Sequence, residues 1–405
     1  MKRFLLIPLA LILISGLIFS GCAKPAPAPA PAPTPAPAPP KTLKIGVILQ
    51  LTGWYSAVDA NDEGDCKIVA QMINDRGILT IQGQKYNVEL VEEDGKSTVD
   101  GNTTAANKLV LDEKVKFAVG PAGPFPIAVT SIFNAAKVLN VIGYYTMEPG
   151  VMGPTLPYIF LGHIDPIGQF SAEAKAMQKV FPDVKNVVIA SGDEPATDAI
   201  APGVKNRLEN MGYNVVGDVV KFPLEAEDYS PIAAKLNAIT QADAYFFLLG
   251  TPPNLCLTLK GLRALGNNKP YVMSIPFAFV LAIAGPEASN NVLCNLAYMP
   301  NQTGNPPLVD EVHNRGPADR PWYGLTPHAL WVLGQVIQAA NSLDPDAVKA
   351  KWESMDKVST LHGEGTICGD KTFGVHHSIV FPCSSVKLMN GQPIYSGWVT
   401  PDPTP

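Results

Sequence analysis

Between residues 43 and 145, short apolar runs alternate with segments whose apolar residues recur every three or four positions. Residues 44–49 form a β-branched apolar run, which predicts a buried strand. Apolar side chains then follow at helical spacing, at Cys66, Val69, Met72 and Ile73. Gly77 ends this helical pattern. Strands that alternate with helices predict parallel pairing through right-handed crossovers, and therefore one Rossmann-like lobe.

A second series of the same kind begins after a loop rich in glycine and proline at residues 150–157. Strands are predicted at 187–190, 215–216, 245–249 and 271–273, and helices at 201–211, 232–239 and 256–265. The predicted fold is therefore α/β, with two Rossmann-like lobes that have parallel central sheets. Open parallel sheets bind ligands at the carboxyl ends of their strands, so a cleft shared by the lobes is the expected site.

The amino terminus has the features of a lipoprotein signal. Lys2 and Arg3 precede an apolar run at 4–19, and small residues lead directly into Cys22. This order predicts a signal peptide at 1–21, lipidation of Cys22 and an extracytoplasmic protein anchored to a bacterial membrane. The alternative is an uncleaved membrane anchor. Residues 22–40 are almost entirely alanine and proline, which predicts a semi-rigid polyproline linker.

Composition narrows the classes of function. The net charge is −6, and no basic cluster lies outside the signal, which argues against nucleic-acid binding. The sequence contains no GxSxG, HExxH, P-loop or GxGxxG motif, so we expect neither an enzyme nor a bound cofactor or metal ion.

The chain has six cysteines, and lipidation of Cys22 would leave five thiols. Cys368 and Cys383 flank a segment with turn residues and a β-rich stretch, which favours a hairpin closed by a disulfide. A zinc site with His376 and His377 and a pair of reduced thiols are the alternatives. The sequence leaves open how the remaining cysteines pair, namely Cys66, Cys256 and Cys294.

Several segments together resemble the type I periplasmic binding proteins, in particular the leucine/isoleucine/valine-binding branch. The resemblance rests on KIGV at 44–47 with LTG at 51–53, MINDRG at 72–77, VEED at 91–94, FAVGP at 117–121 and PWYGLTPHA at 321–329. It implies a small-molecule solute, ABC permease subunits as partners and a hinge of three segments. It also implies a first lobe at 42–161 plus 301–365 and a second lobe at 162–300 plus 366–400.

The same resemblance implies how an amino acid would bind. In the family, hydroxyl and N–H groups after the third strand hold the carboxylate, and an acidic residue of the second lobe holds the ammonium. Here Gly123 and Pro124 stand where the family commonly has two serines, and residues 274–279 contain no acid. Asp193 and Glu194 are the only acids near the expected cleft. A solute that is apolar or aromatic is therefore expected rather than a small zwitterion.

The residues predicted to bind the ligand lie in or beside these segments. They are Trp54, Tyr55, Ala122, Gly123, Phe125, Tyr144, Tyr145, Thr146, Asp193, Thr251 and Phe277. The alternative for any one of the aromatic residues is that it packs a lobe or the hinge. His163 is predicted to lie in a segment that crosses between the lobes. The predicted function is delivery of a solute to an ABC importer, with a ligand sensor or an extracytoplasmic enzyme as alternatives.

Overall fold

The computed structural model describes residues 39–405, except 146, 149, 225, 296–297 and 318–323. Its first sheet has six strands in the order β2-β3-β1-β4-β5-β6. They are β1 (Lys41–Leu49), β2 (Thr80–Ile81), β3 (Gln84–Asp94), β4 (Phe117–Val119), β5 (Leu139–Ile142) and β6 (Ile159–Leu161). All pairs are parallel except β2 with β3. The parallel α/β architecture predicted for this part of the chain is confirmed.

Helices connect these strands and cover the first sheet. They are α1 (Ser56–Asp59), α2 (Asp62–Asp75), α3 (Val99–Leu111) and α4 (Thr130–Ala135). The residues at helical spacing in α2, from Cys66 to Ile73, are buried against the sheet and share one core with Ile45 and Val47. The apolar periodicity of the sequence thus identified the buried face of this helix.

The second sheet repeats the arrangement with its own helices. Its first strands are β7 (Asn186–Gly192), β8 (Asn214–Val215), β9 (Val220–Phe222), β10 (Ala244–Phe247), β11 (Tyr271–Met273) and β12 (Val292–Asn295). The helices are α5 (Pro166–Val180), α6 (Pro195–Asn210), α7 (Ser230–Asn237), α8 (Pro252–Ala264) and α9 (Phe277–Phe279), which continues as a π-helical turn at Val280–Ala284. The pairs among β7 to β12 are parallel.

The last part of the chain packs a helix on the first-sheet side and adds two strands to the second sheet. It forms α10 (Pro307–Arg315), α11 (Leu325–Ala340), α12 (Pro345–Glu353), β13 (Lys357–Thr360), β14 (Gly363–Cys368), α13 (Asp370–Phe373), β15 (Ser378–Val380), β16 (Cys383–Met389) and β17 (Gln392–Val399). Helix α11 packs against α2, and the N–H of Thr326 donates to Asp62 at 3.0 Å. Strands β13 to β15 form a separate antiparallel sheet, whereas β16 pairs with β12 of the second sheet.

The predicted disulfide between Cys368 and Cys383 is wrong, because both thiols are free and buried. Cys368 ends β14, where its partner across the hairpin is Ser378 of β15. Cys383 begins β16, which belongs to the second sheet, and its Sγ donates to the carbonyl oxygen of Phe381 at 3.5 Å. The two cysteines therefore lie in different sheets rather than opposite each other. Burial raises the pKa of the Cys368 thiol to about 12.

The predicted signal peptide, Cys22 and the linker up to residue 38 lie outside the described residues. Within the residues that the structure describes, no helix has the length and apolar character needed to cross a membrane.

Candidate functional site

A cavity of about 670 Å³ lies among loops that follow strands of both large sheets. On the side of the first sheet, its wall includes residues of the loops after β1, β4 and β5, such as Tyr55, Gly123 and Tyr144. On the other side, Glu194, Leu249 and other residues follow β7, β10 and β11. The cavity therefore occupies the position at which open parallel sheets commonly bind ligands.

An aromatic wall, composed of Trp54, Tyr55 and Phe125, forms part of the first-sheet side. The ring centroids of Trp54 and Tyr55 are 5.4 Å apart, and those of Tyr55 and Phe125 are 5.5 Å apart, both with edge-on geometry. Trp54 is 65% exposed, whereas Phe125 is buried behind the other two rings. Such a wall offers apolar surface to a ligand and few hydrogen-bond donors.

The contact between its loop and the aromatic wall explains why residue 123 is a glycine. A Cβ at this position would lie 2.7 Å from the ring of Tyr55, and the backbone has φ +74°, which disfavours residues with a side chain. A serine here would displace the Tyr55 ring. The position of the Tyr55 ring therefore depends on the absence of a side chain at residue 123.

On the second-sheet side, the cavity is bordered by residues 248–253 and by Phe279 and Ile283. The turn after β10 leads into α8 through a capping box, in which the N–H of Thr251 donates to Oδ1 of Asn254 at 3.0 Å. This N–H is thus occupied within the turn. Pro252 and Pro253, which follow, have no N–H at all.

Five residues with polar side chains form a group that we call the polar cluster: Tyr144, Gln169, Glu173, Glu194 and Ser274. All except Glu173 line the cavity. Gln169 and Glu173 lie four residues apart on α5 and therefore on the same face of that helix. Oγ of Ser274 donates to Oε1 of Glu173. Glu173 Oε2 and Gln169 Oε1 are buried, with no hydrogen-bond partner among the described residues.

Burial changes the protonation of this polar cluster. It raises the pKa of Glu173 well above its usual range and so favours the neutral form of this carboxyl. Burial, followed by the nearby carboxyl of Glu148, raises the pKa of Glu194. Burial also raises the pKa of the Tyr144 phenol. The cavity thus contains acidic groups that favour a proton donor or a cation beside them.

Several of the predicted ligand-binding residues border the cavity, namely Trp54, Tyr55, Gly123, Tyr144 and Thr251. Others do not border it: Ala122, Phe125, Tyr145, Asp193 and Phe277. Thr146 lies outside the described residues.

The residues that do not border the cavity have clear structural reasons. Ala122 and Tyr145 are buried, and the Tyr145 ring lies 6.3 Å from that of Phe373. Phe277 packs against the core of the second sheet. Asp193 has a side chain that is 63% exposed, and its carboxylate pairs with Lys221 at 3.4 Å. Its neighbour Glu194 is therefore the acid of this loop that borders the cavity.

Gln169 and Glu173 were missed by the sequence reasoning. They belong to α5, a helix that was not predicted as part of the site and that is buried from Pro166 to Ala174. A carboxyl between Ala172 and Ala174 in such an apolar segment was the available signal.

A histidine cluster, composed of His163, His328 and His362, lies around Phe381 near the segments that connect the sheets. The His163 and His328 ring centroids are 5.4 Å apart, and those of His328 and His362 are 5.0 Å apart. All three side chains are buried. Burial lowers the pKa of both His163 and His362 to about 3, so these imidazoles are neutral at physiological pH. His163 is 6.2 Å from the Tyr144 ring, which borders the cavity.

Comparison with known proteins gives a consistent result. A family model described as periplasmic binding protein matches residues 42–385. The structure is similar to a leucine-binding protein LivK from Thermotoga maritima, with a TM-score of 0.70 at 21% identity, over 89% of this chain and 99% of that one. It is also similar to a branched-chain amino acid transporter substrate-binding protein LivJ from Streptococcus pneumoniae in complex with isoleucine (TM-score 0.69, 18% identity, 89% and 100% coverage).

A third similar structure contains a different kind of ligand. It is an ABC transporter solute-binding protein from R. palustris in complex with 4-hydroxybenzoate (TM-score 0.68, 22% identity, 90% and 98% coverage). Among curated proteins, an uncharacterised protein of Methanocaldococcus jannaschii is 22% identical over 227 residues, which span 55% of this chain and 52% of that protein. The chain thus spans about half the length of this relative.

Proposed function

Because this chain belongs to the periplasmic binding protein family, we propose that it is an extracytoplasmic solute-binding lipoprotein that delivers a small, largely apolar or aromatic solute to an ABC importer. The observation that carries this proposal is the cavity of about 670 Å³ with walls from both large sheets. Aromatic and aliphatic side chains such as Trp54, Tyr55, Leu249 and Phe279 form much of these walls. Binding sites for apolar small molecules typically have this composition.

The proposed mechanism is closure of the two lobes on the solute. The solute contacts loops of both sheets at once, so it binds the closed form more tightly than the open form and shifts the population toward closure. The permease then recognises the closed form. No covalent step is needed, and the proposed division into lobes at 42–161 plus 301–365 and 162–300 plus 366–400 provides the two moving bodies.

The lipid anchor belongs to the same proposal. A diacylglyceryl group on Cys22 would hold the protein at the membrane, and the linker at 22–40 would separate the binding domain from the lipid surface. Replacement of Cys22 by alanine is expected to release the protein into the soluble fraction with its folded domain intact. Retention of this variant in carbonate-washed membranes would contradict the lipoprotein proposal.

Solute binding can be tested with the mature domain. Small molecules that co-purify are identified by mass spectrometry, and a thermal-shift panel then compares amino acids, aromatic acids, apolar amines and alcohols, since a ligand of the native state raises the melting temperature. Trp54→Ala and Tyr55→Ala are expected to weaken binding by roughly tenfold or more, because each removes a large apolar contact. Ile394→Ala, which alters an exposed apolar residue outside the cavity, is the matched control.

The expected result is an organic solute whose binding depends on the aromatic wall. The proposal fails if no small molecule co-purifies or raises the melting temperature, or if the Trp54 and Tyr55 variants bind as the Ile394 variant does.

A further inference from the structure

The polar cluster offers hydrogen-bond acceptors to a ligand. Oε1 of Gln169 is buried without a hydrogen-bond partner among the described residues, although Gln169 lines the cavity and is only 4% exposed. Oε2 of Glu173, behind Ser274, is also buried without a partner among these residues, and it accepts when the carboxyl is ionised or donates when it is protonated. Glu194 adds a carboxyl from the second-sheet side. A buried acceptor left unpaired costs free energy, so this region favours a ligand that brings donors.

The described residues offer a carboxylate no positively charged partner in this cavity. Among the described residues that line it there is no lysine, arginine or histidine. Gly123 and Pro124 supply no hydroxyl, and Pro124 has no N–H. The N–H of Thr251 donates to Asn254, and the N–H of Gly192 donates to the carbonyl of Leu249 at 2.8 Å. A carboxylate placed here would have only neutral donors among these residues, so the loss of its hydration would be poorly offset.

We propose that the solute is an apolar amine without a carboxylate, held by Gln169 and Glu194 at its ammonium group and by the aromatic wall along its body. This inference rests on the proposed function, since it specifies the solute class of the same cavity. An ammonium has three donors and no acceptor, which matches the unpaired oxygen of Gln169 and the carboxyl of Glu194. The rings of Trp54 and Tyr55 suit an apolar body and tolerate a nearby cation.

Four compounds with related skeletons separate the possible ligand charges. 2-Phenylethylamine has the amine alone, phenylalanine adds a carboxylate to it, 3-phenylpropionate has the carboxylate alone, and 2-phenylethanol has a neutral donor. We expect the amine to bind at least roughly tenfold more tightly than phenylalanine or the alcohol, because only the amine brings a positive charge without a carboxylate. We expect no binding of 3-phenylpropionate in calorimetry.

Two neighbouring acids provide matched variants. Glu194→Gln removes the carboxyl that borders the cavity, and we expect it to weaken 2-phenylethylamine binding by at least roughly tenfold. Asp193→Asn removes a carboxyl from the same loop, but Asp193 is exposed and paired with Lys221, so this variant is expected to bind as the wild type does. Melting temperatures without ligand show whether either variant has lost its fold.

The outcomes distinguish this inference from the proposed function. If 3-phenylpropionate or phenylalanine binds as tightly as the amine, or if Glu194→Gln leaves amine binding unchanged, the amine inference is overturned. The proposed function nevertheless stands if that binding depends on Trp54. If 2-phenylethanol binds as tightly as 2-phenylethylamine, the positive charge of the amine plays no part in recognition, and the inference is overturned. If none of the four compounds binds and the solute that co-purifies is not an amine, only the inference fails; if nothing binds or co-purifies, both fail.

Discussion

The histidine cluster predicts a defined dependence of stability on pH, which His362→Gln tests. The His362 ring is buried beside Phe381 and Trp398, with centroids 5.1 and 5.2 Å away. Burial lowers its pKa from 6.5 to about 3 in the native state. Above pH 6.5 the imidazole is neutral in both the folded and the unfolded chain, and it makes no difference to the pH dependence of stability.

Below pH 6.5 the unfolded chain binds a proton at this residue, whereas the native protein does not. Stability is therefore lost as the pH falls from 6.5 toward about 3. At pH 5 the native imidazole is still neutral, so the size of the loss is set by the unfolded chain alone. That pH lies about 1.5 pH units below the unfolded pKa, and one unit corresponds to about 1.36 kcal/mol, which gives about 2 kcal/mol for His362.

The assay is urea unfolding of the wild type and the variant at pH 7.5 and at pH 5. Other groups also titrate in this range. For example, burial raises the pKa of Asp59 to about 7, which adds stability as the pH falls. These contributions occur in both proteins and cancel in the difference. We expect the change in the free energy of unfolding between the two pH values to differ by about 2 kcal/mol, with the variant less sensitive to acid.

Phe381→Leu is the matched control, because Phe381 contacts all three histidines but does not titrate. It should lower stability by a similar amount at both pH values and keep the pH sensitivity of the wild type. Equal pH sensitivity of the wild type and His362→Gln would refute the reasoning that a buried neutral imidazole destabilises the native state in acid.

Two further predictions concern the cysteines and Gly123. Because Cys368 and Cys383 are free and buried, Ellman's reagent should react with neither in the native protein and with both after denaturation, and a titre that rises after reduction would contradict this. Gly123→Ala should lower the free energy of unfolding in urea by about 1–3 kcal/mol, because φ is +74° and the new Cβ meets the Tyr55 ring. Gly304→Ala (φ +94°, with no atom within 4 Å) is the control for backbone strain alone; an equal loss in both variants would show that the Tyr55 contact adds nothing.

The fold could be predicted because apolar residues recur along the chain at the spacing of the strand or helix that they form. Residues 44–49 and the face of α2 from Cys66 to Ile73 both show the apolar spacing of the element that they form. Strand β12 and helix α5 were not predicted. In helix α5 the polar residues Gln169, Ser171 and Glu173 are buried, so polar positions in its sequence do not mark the solvent-facing side.

The failure of the predicted disulfide shows that local sequence patterns do not predict contacts between distant residues. A turn between Cys368 and Cys383 was predicted, and α13 followed by β15 does reverse the chain there. After β15, Phe381 packs against His163 and His328, which are distant in sequence, and the chain then enters the second sheet at Cys383. The observed hairpin places Ser378, five residues before Cys383, opposite Cys368.

Part of the candidate site could likewise be predicted from local sequence patterns, and part of it could not. Tyr55, Gly123 and Tyr144 border the cavity because they lie in loops that follow strands, a position that the alternation of elements identifies. Glu173 reaches Ser274 only through the packing of α5 on the second sheet, a contact between residues 101 positions apart. No periodicity in the sequence encodes such a contact.

The balance between apolar contacts and the pairing of charges decides which solutes this cavity accepts. Burial of an aromatic ring against Trp54 and Tyr55 contributes about 1.5–3 kcal/mol. An ion that leaves water without good partners loses several kcal/mol, which is as much as the ring gains. A carboxylate that found no donors would therefore cancel the aromatic contact, whereas an ammonium beside Gln169 and Glu194 would not. Selection in such a cavity depends on the sign of the ligand's charge more than on its size.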